Sequence, residues 1–269
     1  MTRQQTDWIP DSVDIGKPST ARMYDYLLGG GHNLEADRVL VEKLLAVQPE
    51  VRRIAIMNRA FLRRAVLFMV GAGVRQFLDL GSGIPTVGNV HEIAQQADPS
   101  CRIVYVDNEA VAVAHSQLVL EGNERAVMLQ ADITEPQRVL HAPETTRTLD
   151  FTKPVGLLAI TIGHHVGPER EPERVFATYR DALVPGSYLA ITHWTEDFAT
   201  QRSRRAEEAT RGQIEVYARN RAEIMTFLGD FELVEPGLVS TSQWRPERGD
   251  DVAKDPAIDA FYAGVARKP

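Results

Sequence analysis

The chain has 269 residues, 43% of them hydrophobic and 25% charged, with a net charge of −7 at neutral pH and one cysteine. That length suits one elaborated α/β domain, or one domain with a small cap, and the apolar fraction is enough for a large core. The acidic balance argues against broad phosphate-backbone binding, no apolar run reaches the length of a membrane span, and Cys101 has no partner for an internal disulfide.

Residues 1–15 are polar and read as loosely ordered, and no apolar signal-peptide core follows them, so a cytoplasmic protein is expected. Ser19 or Thr20 can cap a helix that ends at Gly29, Gly30 and Gly31. Asn33 can cap a second helix over residues 35–47, stopped by Pro49. A third is predicted over residues 50–71, where Val51, Ile54, Phe61, Leu62, Ala65, Val66 and Met69 form a helical stripe. From there strands at 74–80, 102–106, 126–130, 155–161 and 187–192 alternate with helices near 87–97, 109–121, 135–141 and 172–183. Such alternation predicts a parallel, doubly wound sheet. Residues 201–228 read as one long helix whose arginines and glutamates form a solvated face, and 231–234 and 260–266 supply two last strands. The expected organisation is an N-terminal helical cap or lid over residues 1–73 and a ligand-binding domain over 74–269.

The most informative stretch is Phe77-Leu78-Asp79-Leu80-Gly81-Ser82-Gly83, a buried strand ending in an acid and a Gly-x-Gly turn. The glycines let the chain turn tightly off the strand and let a ligand lie against the backbone. Asp107 ends the next strand, about where a ribose-binding carboxylate belongs in a Rossmann-type unit. Two features disfavour a dinucleotide. The third fingerprint glycine is replaced by Thr86, and Pro85 removes an N–H where a pyrophosphate wants a donor. Asp79 would repel a pyrophosphate and suit an ammonium group. S-adenosylmethionine, a zwitterionic amino acid joined to adenosine without phosphate, fits these residues better. A tight strand–helix turn in some other α/β protein is the plainer alternative.

These residues resemble class I S-adenosylmethionine-dependent methyltransferases. Asp79, Gly81, Ser82 and Gly83 lie on that family's acid-x-Gly-x-Gly loop, and Asp107, followed by Asn108, at its ribose-binding acid. Gln130-Ala131-Asp132-Ile133 is similar to the turn whose acid meets the adenine amino group and whose next residue packs on the ring. The segment from Thr161 through His164 and His165 to Pro168 resembles the one after the fourth strand of many small-molecule methyltransferases. With Met23–Gly30 and Asn58–Arg64, the whole chain resembles an actinobacterial group of S-adenosyl methyltransferases of unknown substrate. The resemblance implies a Rossmann-like, seven-stranded sheet, mostly parallel with the last strand antiparallel. It also implies methyl transfer from S-adenosylmethionine to a small-molecule acceptor, with Thr161 at the cofactor. One departure concerns the fourth strand, which carries Gly156 and no acid from Val155 to Val166. A non-catalytic S-adenosylmethionine-binding regulator and an NAD(P)-dependent oxidoreductase therefore stand as alternatives. No Asn/Asp-Pro-Pro-aromatic element follows that strand, which disfavours DNA base methylation, and no nucleic-acid partner is expected.

Asn58 falls on the apolar stripe, so its amide either bonds a nearby loop or faces the Gly81 turn and the carboxylate of the amino-acid end. Tyr24, Tyr26 and the glycine run at 29–31 are either ordinary helix packing or a lid over cofactor and substrate. His164 and His165, at the tip of the fourth strand, are the candidate catalytic residues, because an imidazole there could take a proton from a hydroxyl or thiol acceptor. Neighbouring histidines cannot easily share an ion, so no metal is expected. Neither the acceptor atom nor the oligomeric state is written in any motif.

Overall fold

The computed structural model describes residues 9–10, 13–85, 88–249, 252–253, 255 and 258–269. Most of the expectation for residues 1–15 and the expected helix start at Val87 lie outside the described residues. Three helices come first: α1 (Thr20–Leu27), α2 (Glu35–Val47) and α3 (Val51–Gly71). They lead into strands β1 (Gln76–Leu80), β2 (Arg102–Asp107), β3 (Ala126–Gln130), β4 (Gly156–Ile160) and β5 (Tyr188–Trp194). Between these run α4 (Val90–Ala97), α5 (Ala110–Val119), α6 (Pro136–His141), α7 (Pro143–Thr148) and α8 (Pro172–Asp181). Helices α9 (Gln201–Thr210) and α10 (Arg221–Leu228) precede β6 (Glu232–Leu233), β7 (Val239–Ser240) and β8 (Phe261–Arg267).

The sheet order is β3-β2-β1-β4-β5-β8-β6, with β7 also pairing to β8. Strands β1 to β5 are parallel, and β8 runs antiparallel to β5, β6 and β7. This is the mostly parallel, doubly wound Rossmann-like sheet of the sequence analysis, extended by an eighth strand, the two-residue β7. Its two faces follow the period-2 alternation of side chains. Leu78, Leu80, Val104, Leu157 and Ile191 pack against Phe176 and Tyr179 of α8 and Phe227 of α10. Phe77, Ile103, Leu158, Ala190 and Val265 pack against Phe61, Val66 and Met69 of α3. Asp79, two residues after Phe77, shares that face and so looks toward α3, a placement that matters below.

Helix α3 belongs to both halves of the molecule. Ala55, in its first half, joins Met23, Leu27, Leu40 and Val41 in a small core with α1 and α2. Phe61, Val66 and Met69, in its second half, are fully buried on the sheet. Full burial of such side chains contributes roughly 1.5–3 kcal/mol each, so α3 is anchored, and any opening of the cap falls to α1 and α2.

Two expectations are corrected and one element is added. The long helix over 201–228 is two helices. Gly212 turns the chain at φ 76°, and Asn220 with Glu223 forms a capping box that starts α10. Leu34, not Asn33, is the N-cap of α2; the Asn33 amide donates to Asp25 Oδ2 at 2.9 Å and to the Gly30 carbonyl at 2.9 Å, and Asp37 Oδ2 accepts from the Leu34 N–H. A further short helix, α7, starts at Pro143.

Candidate functional site

The C-terminal tips of β3, β2, β1, β4 and β5, with the N-terminal end of the antiparallel β8, open onto a cavity of about 280 Å³, roofed by α1 and the first half of α3. Open α/β sheets bind ligands at this edge, where the strand order reverses from β1 to β4. The β1 tip makes its floor. Gly81 has φ 69°, and a Cβ there would lie 2.5 Å from the Ile162 side chain, so only glycine lets these two turns meet. Gly83, at φ 67°, donates its N–H to Asp107 Oδ2 at 2.8 Å, while Asp107 Oδ1 accepts from Glu109 N at 2.9 Å. The first strand's loop thus aims the second strand's carboxylate. Burial raises the Asp107 pKa above the usual range, and the backbone donors of Glu109, Gly83 and Asn108 draw it back.

Asp79 is buried beside them. Burial raises its pKa to about 7, with the Arg59 charge pulling down and Asp107 pushing up. Two further polar atoms are held ready. Asn58 donates Nδ2 to the Tyr24 hydroxyl at 2.9 Å, and that hydroxyl donates to the Ala55 carbonyl at 3.1 Å, leaving Asn58 Oδ1 buried without a partner. Ser82 Oγ is likewise buried and unpartnered. Buried polar atoms cost free energy unless something bonds them, and both residues line the cavity. Tyr24, Asn58, Asp79, Gly81, Ser82, Gly83, Asp107, Asn108, Ile133, Thr161, His164 and His165 are brought together there.

Asp132 and Tyr26 are not. Asp132 Oδ1 accepts from the Thr134 N–H and hydroxyl at 2.8 Å each, and Oδ2 pairs with Arg170, so the carboxylate is engaged beside the cavity and is not among the residues that line it. The Tyr26 hydroxyl donates to Glu42 at 2.8 Å and its ring lies under Arg52, on the far side of α1. Helical spacing explains this, since residues two apart face opposite ways.

At the β4 tip Thr161 adopts φ 55°, an uncommon conformation for a β-branched residue. It is held by Thr192 Oγ1, which accepts its N–H at 2.9 Å, and by its own hydroxyl donating to the Ile160 carbonyl at 2.7 Å. The turn delivers His164 and His165 to the cavity, rings 4.4 Å apart. His164 Nδ1 accepts a long bond, 3.4 Å, from Trp194 N–H, and burial holds its pKa well below normal. His165 Nδ1 lies 2.9 Å from the Glu215 carbonyl, and burial lowers its pKa too. Behind them His193 donates Nδ1–H to the Trp194 carbonyl at 2.6 Å and is pushed down to about 4, chiefly by burial.

Several lining residues were not singled out by sequence. Arg59 follows Asn58 on α3 and touches the Asp79 field; Nη2 also donates to the Gly88 carbonyl at 3.0 Å. Glu109 lines the β2 side and accepts from Arg22 at 2.7 Å; buried Arg22 also binds Asp37 at 2.7 Å, fastening α1 and α2 to the site. Trp194 and Phe261 close the β5–β8 end with rings 5.4 Å apart, edge to face. Arg219 clamps the histidine turn, donating to the Gly163 carbonyl at 3.0 Å, the Val166 carbonyl at 2.7 Å and His193 Nε2 at 3.1 Å. Trp194 lies two residues past the strand expected at 187–192, and Arg219 was placed on a supposed solvated helix.

The glycine turn, the carboxylates of Asp79, Asp107 and Glu109 and the guanidinium of Arg59 line one end of the cavity, an acidic setting that disfavours a pyrophosphate-bearing dinucleotide. The chain belongs to the S-adenosyl methyltransferase family, whose model matches residues 6–269. It is an S-adenosylmethionine-dependent methyltransferase by that membership. It is similar to a Thermobifida fusca protein provisionally named a methyltransferase, at 40% identity over 97% of this chain and 99% of that one, TM-score 0.91. It is similar also to a DUF574 family protein from Streptomyces avermitilis, at 36% identity over 95% of this chain and 99% of that one, TM-score 0.91. No curated protein sequence matches the chain. Among the described residues no helix is long and apolar enough to cross a membrane, and no three His, Cys, Asp or Glu side chains gather as a metal site would require.

Proposed function

We propose that this methyltransferase modifies a small-molecule acceptor, with the cofactor lying across the β3, β2 and β1 tips and the acceptor at β4, β5 and β8. The observation that supports it is the pair of buried, unpartnered atoms, Asn58 Oδ1 and Ser82 Oγ, on the cavity wall beside Asp79 and Arg59. When bound, S-adenosylmethionine supplies an electrophilic methyl group on a sulfonium. Asp107, already oriented by Gly83 and Glu109, accepts the ribose hydroxyls. Ile133 and Ala131 give the adenine an apolar seat, with Asn108 at its border, and Thr161, at the β4 tip, lies toward the sulfonium end. Asp79 takes the ammonium group, while Arg59, Asn58, Ser82 and the Gly81–Gly83 backbone hold the carboxylate end. Tyr24 lies over that end from α1, part of a helical cap within residues 1–73 to the catalytic domain from 74 onward. Asp132 supports the adenine turn from behind through Thr134 and Arg170.

His165 or His164 receives the acceptor's proton, and the buried surroundings exclude water that would screen the transfer. Because a neutral imidazole can act as base here, an acid early in β4 is not required. A soluble cytoplasmic setting fits the buried, free thiol of Cys101. The test is Asp107→Ala, titrated calorimetrically with S-adenosylhomocysteine. Charged acceptors of hydrogen bonds contribute about 1.5–3 kcal/mol, so the variant is expected to bind at least tenfold more weakly while keeping its fold by circular dichroism. Wild-type affinity in that variant would remove Asp107 from the site.

A further inference from the structure

The two histidines of the β4 tip are adjacent in sequence but are fixed in opposite tautomers. The Glu215 carbonyl can only accept, so His165 must place its proton on Nδ1, and its Nε2 carries a lone pair. The Trp194 N–H can only donate, so neutral His164 accepts at Nδ1 and carries its proton on Nε2. Neither Nε2 has a hydrogen-bond partner among the described residues, and both rings line the cavity. The site therefore offers one acceptor and one donor side by side, the complement of a group that itself donates once and accepts once. A hydroxyl is such a group. An ammonium has no lone pair for His164, and a carboxylate has no proton for His165.

The walls around this pair are aromatic and uncharged. Trp194 and Phe261 stand edge to face at 5.4 Å, and the His164 ring meets Phe261 in the same manner at 5.4 Å. Ile54 of α3 completes the wall. The charged side chains of the cavity, Arg59, Asp79, Asp107 and Glu109, belong to the β1–β2 side, and the sheet order puts β4, β5 and β8 on the other.

We propose that the acceptor is a planar aromatic hydroxyl compound, its O–H donating to His165 Nε2 and its oxygen accepting from His164 Nε2–H. This rests on the methyltransferase reading above. In the transfer, the acceptor oxygen forms the new O–CH₃ bond as the sulfonium S–CH₃ bond breaks with its electron pair going to sulfur. The hydroxyl proton passes to His165 Nε2, and the imidazolium later releases it to solvent. Aromatic and aliphatic hydroxyls differ here by chemistry. Burial makes both imidazoles weak bases, and a phenol gives up its proton near pH 10 whereas an alkanol holds it nearly as tightly as water.

The experiment uses the full chain and four probes sharing one ring system: 2-naphthol, 2-naphthylmethanol, 2-naphthoate and 2-naphthylmethylammonium. Calorimetry with S-adenosylhomocysteine comes first; failure to bind it would sink the cofactor reading itself. With that product bound, 2-naphthol is expected to bind at least tenfold more tightly than either ion. Of the four, it alone should gain a labelled methyl group from S-adenosylmethionine. Asn at position 165 can keep a donor toward Glu215 while removing the lone pair, so His165→Asn should lower methylation by about 10²-fold and leave S-adenosylhomocysteine affinity within threefold. Nitrogen-15 NMR of the histidine rings reads the tautomers directly in the unsubstituted protein, independent of turnover. Product binding with no preference for 2-naphthol, preference for an ion, or one tautomer shared by both rings would each overturn the proposal.

Discussion

Replacing Asp79 by Asn should make the free protein more stable and the liganded protein less so. The carboxylate is 5% exposed and burial raises its pKa from 3.8 to about 7. A folded-state pKa above the unfolded one means the native state holds the proton longer. This group's contribution therefore turns unfavourable as pH climbs from about 4, and the penalty is complete above about 7. A shift of that size corresponds to about 4 kcal/mol against folding at pH 8, and less than half of that at pH 5. An amide of the same shape carries no such charge. The stability difference between Asp79→Asn and wild type, from urea unfolding, should therefore grow by about 2–3 kcal/mol between pH 5 and pH 8. The same variant should lose affinity for S-adenosylhomocysteine, because the ammonium group then meets a dipole instead of a charge. Wild-type binding near pH 6 should release a proton, seen as a buffer-dependent calorimetric enthalpy, and the variant should release none. A stability difference that stays flat with pH, or a variant that binds as tightly as wild type, would refute the placement of an uncompensated carboxylate at this strand tip.

Gly81→Ala should cost about 2–4 kcal/mol, from the positive φ and from the Cβ meeting Ile162 at 2.5 Å. Adding Ile162→Ala should recover the steric part but not the backbone part, so thermal unfolding of the double variant above the single one checks both contributions. His193, held down to about 4, should protonate in the unfolded chain first as pH falls. Its contribution is thus present above pH 6.5 and is lost between about 6.5 and 4, by about 3 kcal/mol. His193→Gln should flatten that acid limb in unfolding experiments; an unchanged limb would show that His193 is not buried as a neutral ring in solution.

The strands and the cofactor turn were legible because their signals are local. A buried apolar run ending in Asp79-Leu80-Gly81-Ser82-Gly83 admits few conformations, and the period-2 alternation also fixes which face Asp79 looks toward. Asn58 was legible for a related reason, an amide on an apolar helical stripe needing a partner. What stayed hidden depends on contacts distant in sequence. Arg219 reads as one more charge in a mixed stretch, yet folding places it against the Gly163 and Val166 carbonyls and His193. Asp132 sits in a turn that resembles a ligand turn, and its pairing with Arg170, far along the chain, has no local signal. Tyr26 shares a glycine-flanked segment with Tyr24, and only the pitch of α1 separates the ring that lines the site from the one that leaves it.

The charge distribution makes the direction of the site a consequence of topology. In a parallel sheet with β1 at the switch point, loops on one side carry the first two strand tips, and here those bring Asp79, Asp107 and Glu109 together. Burying these carboxylates is unfavourable in the free protein, and burial is the chief cause of the raised pKa of all three. That cost falls when a ligand supplies an ammonium and hydroxyl donors to replace the lost water. On the other side of the switch point, neutral histidines and aromatic rings form a surface with no charge to attract a second zwitterion. One cavity can then hold two chemically different molecules in a fixed order without a dividing wall, because each end disfavours the other's ligand.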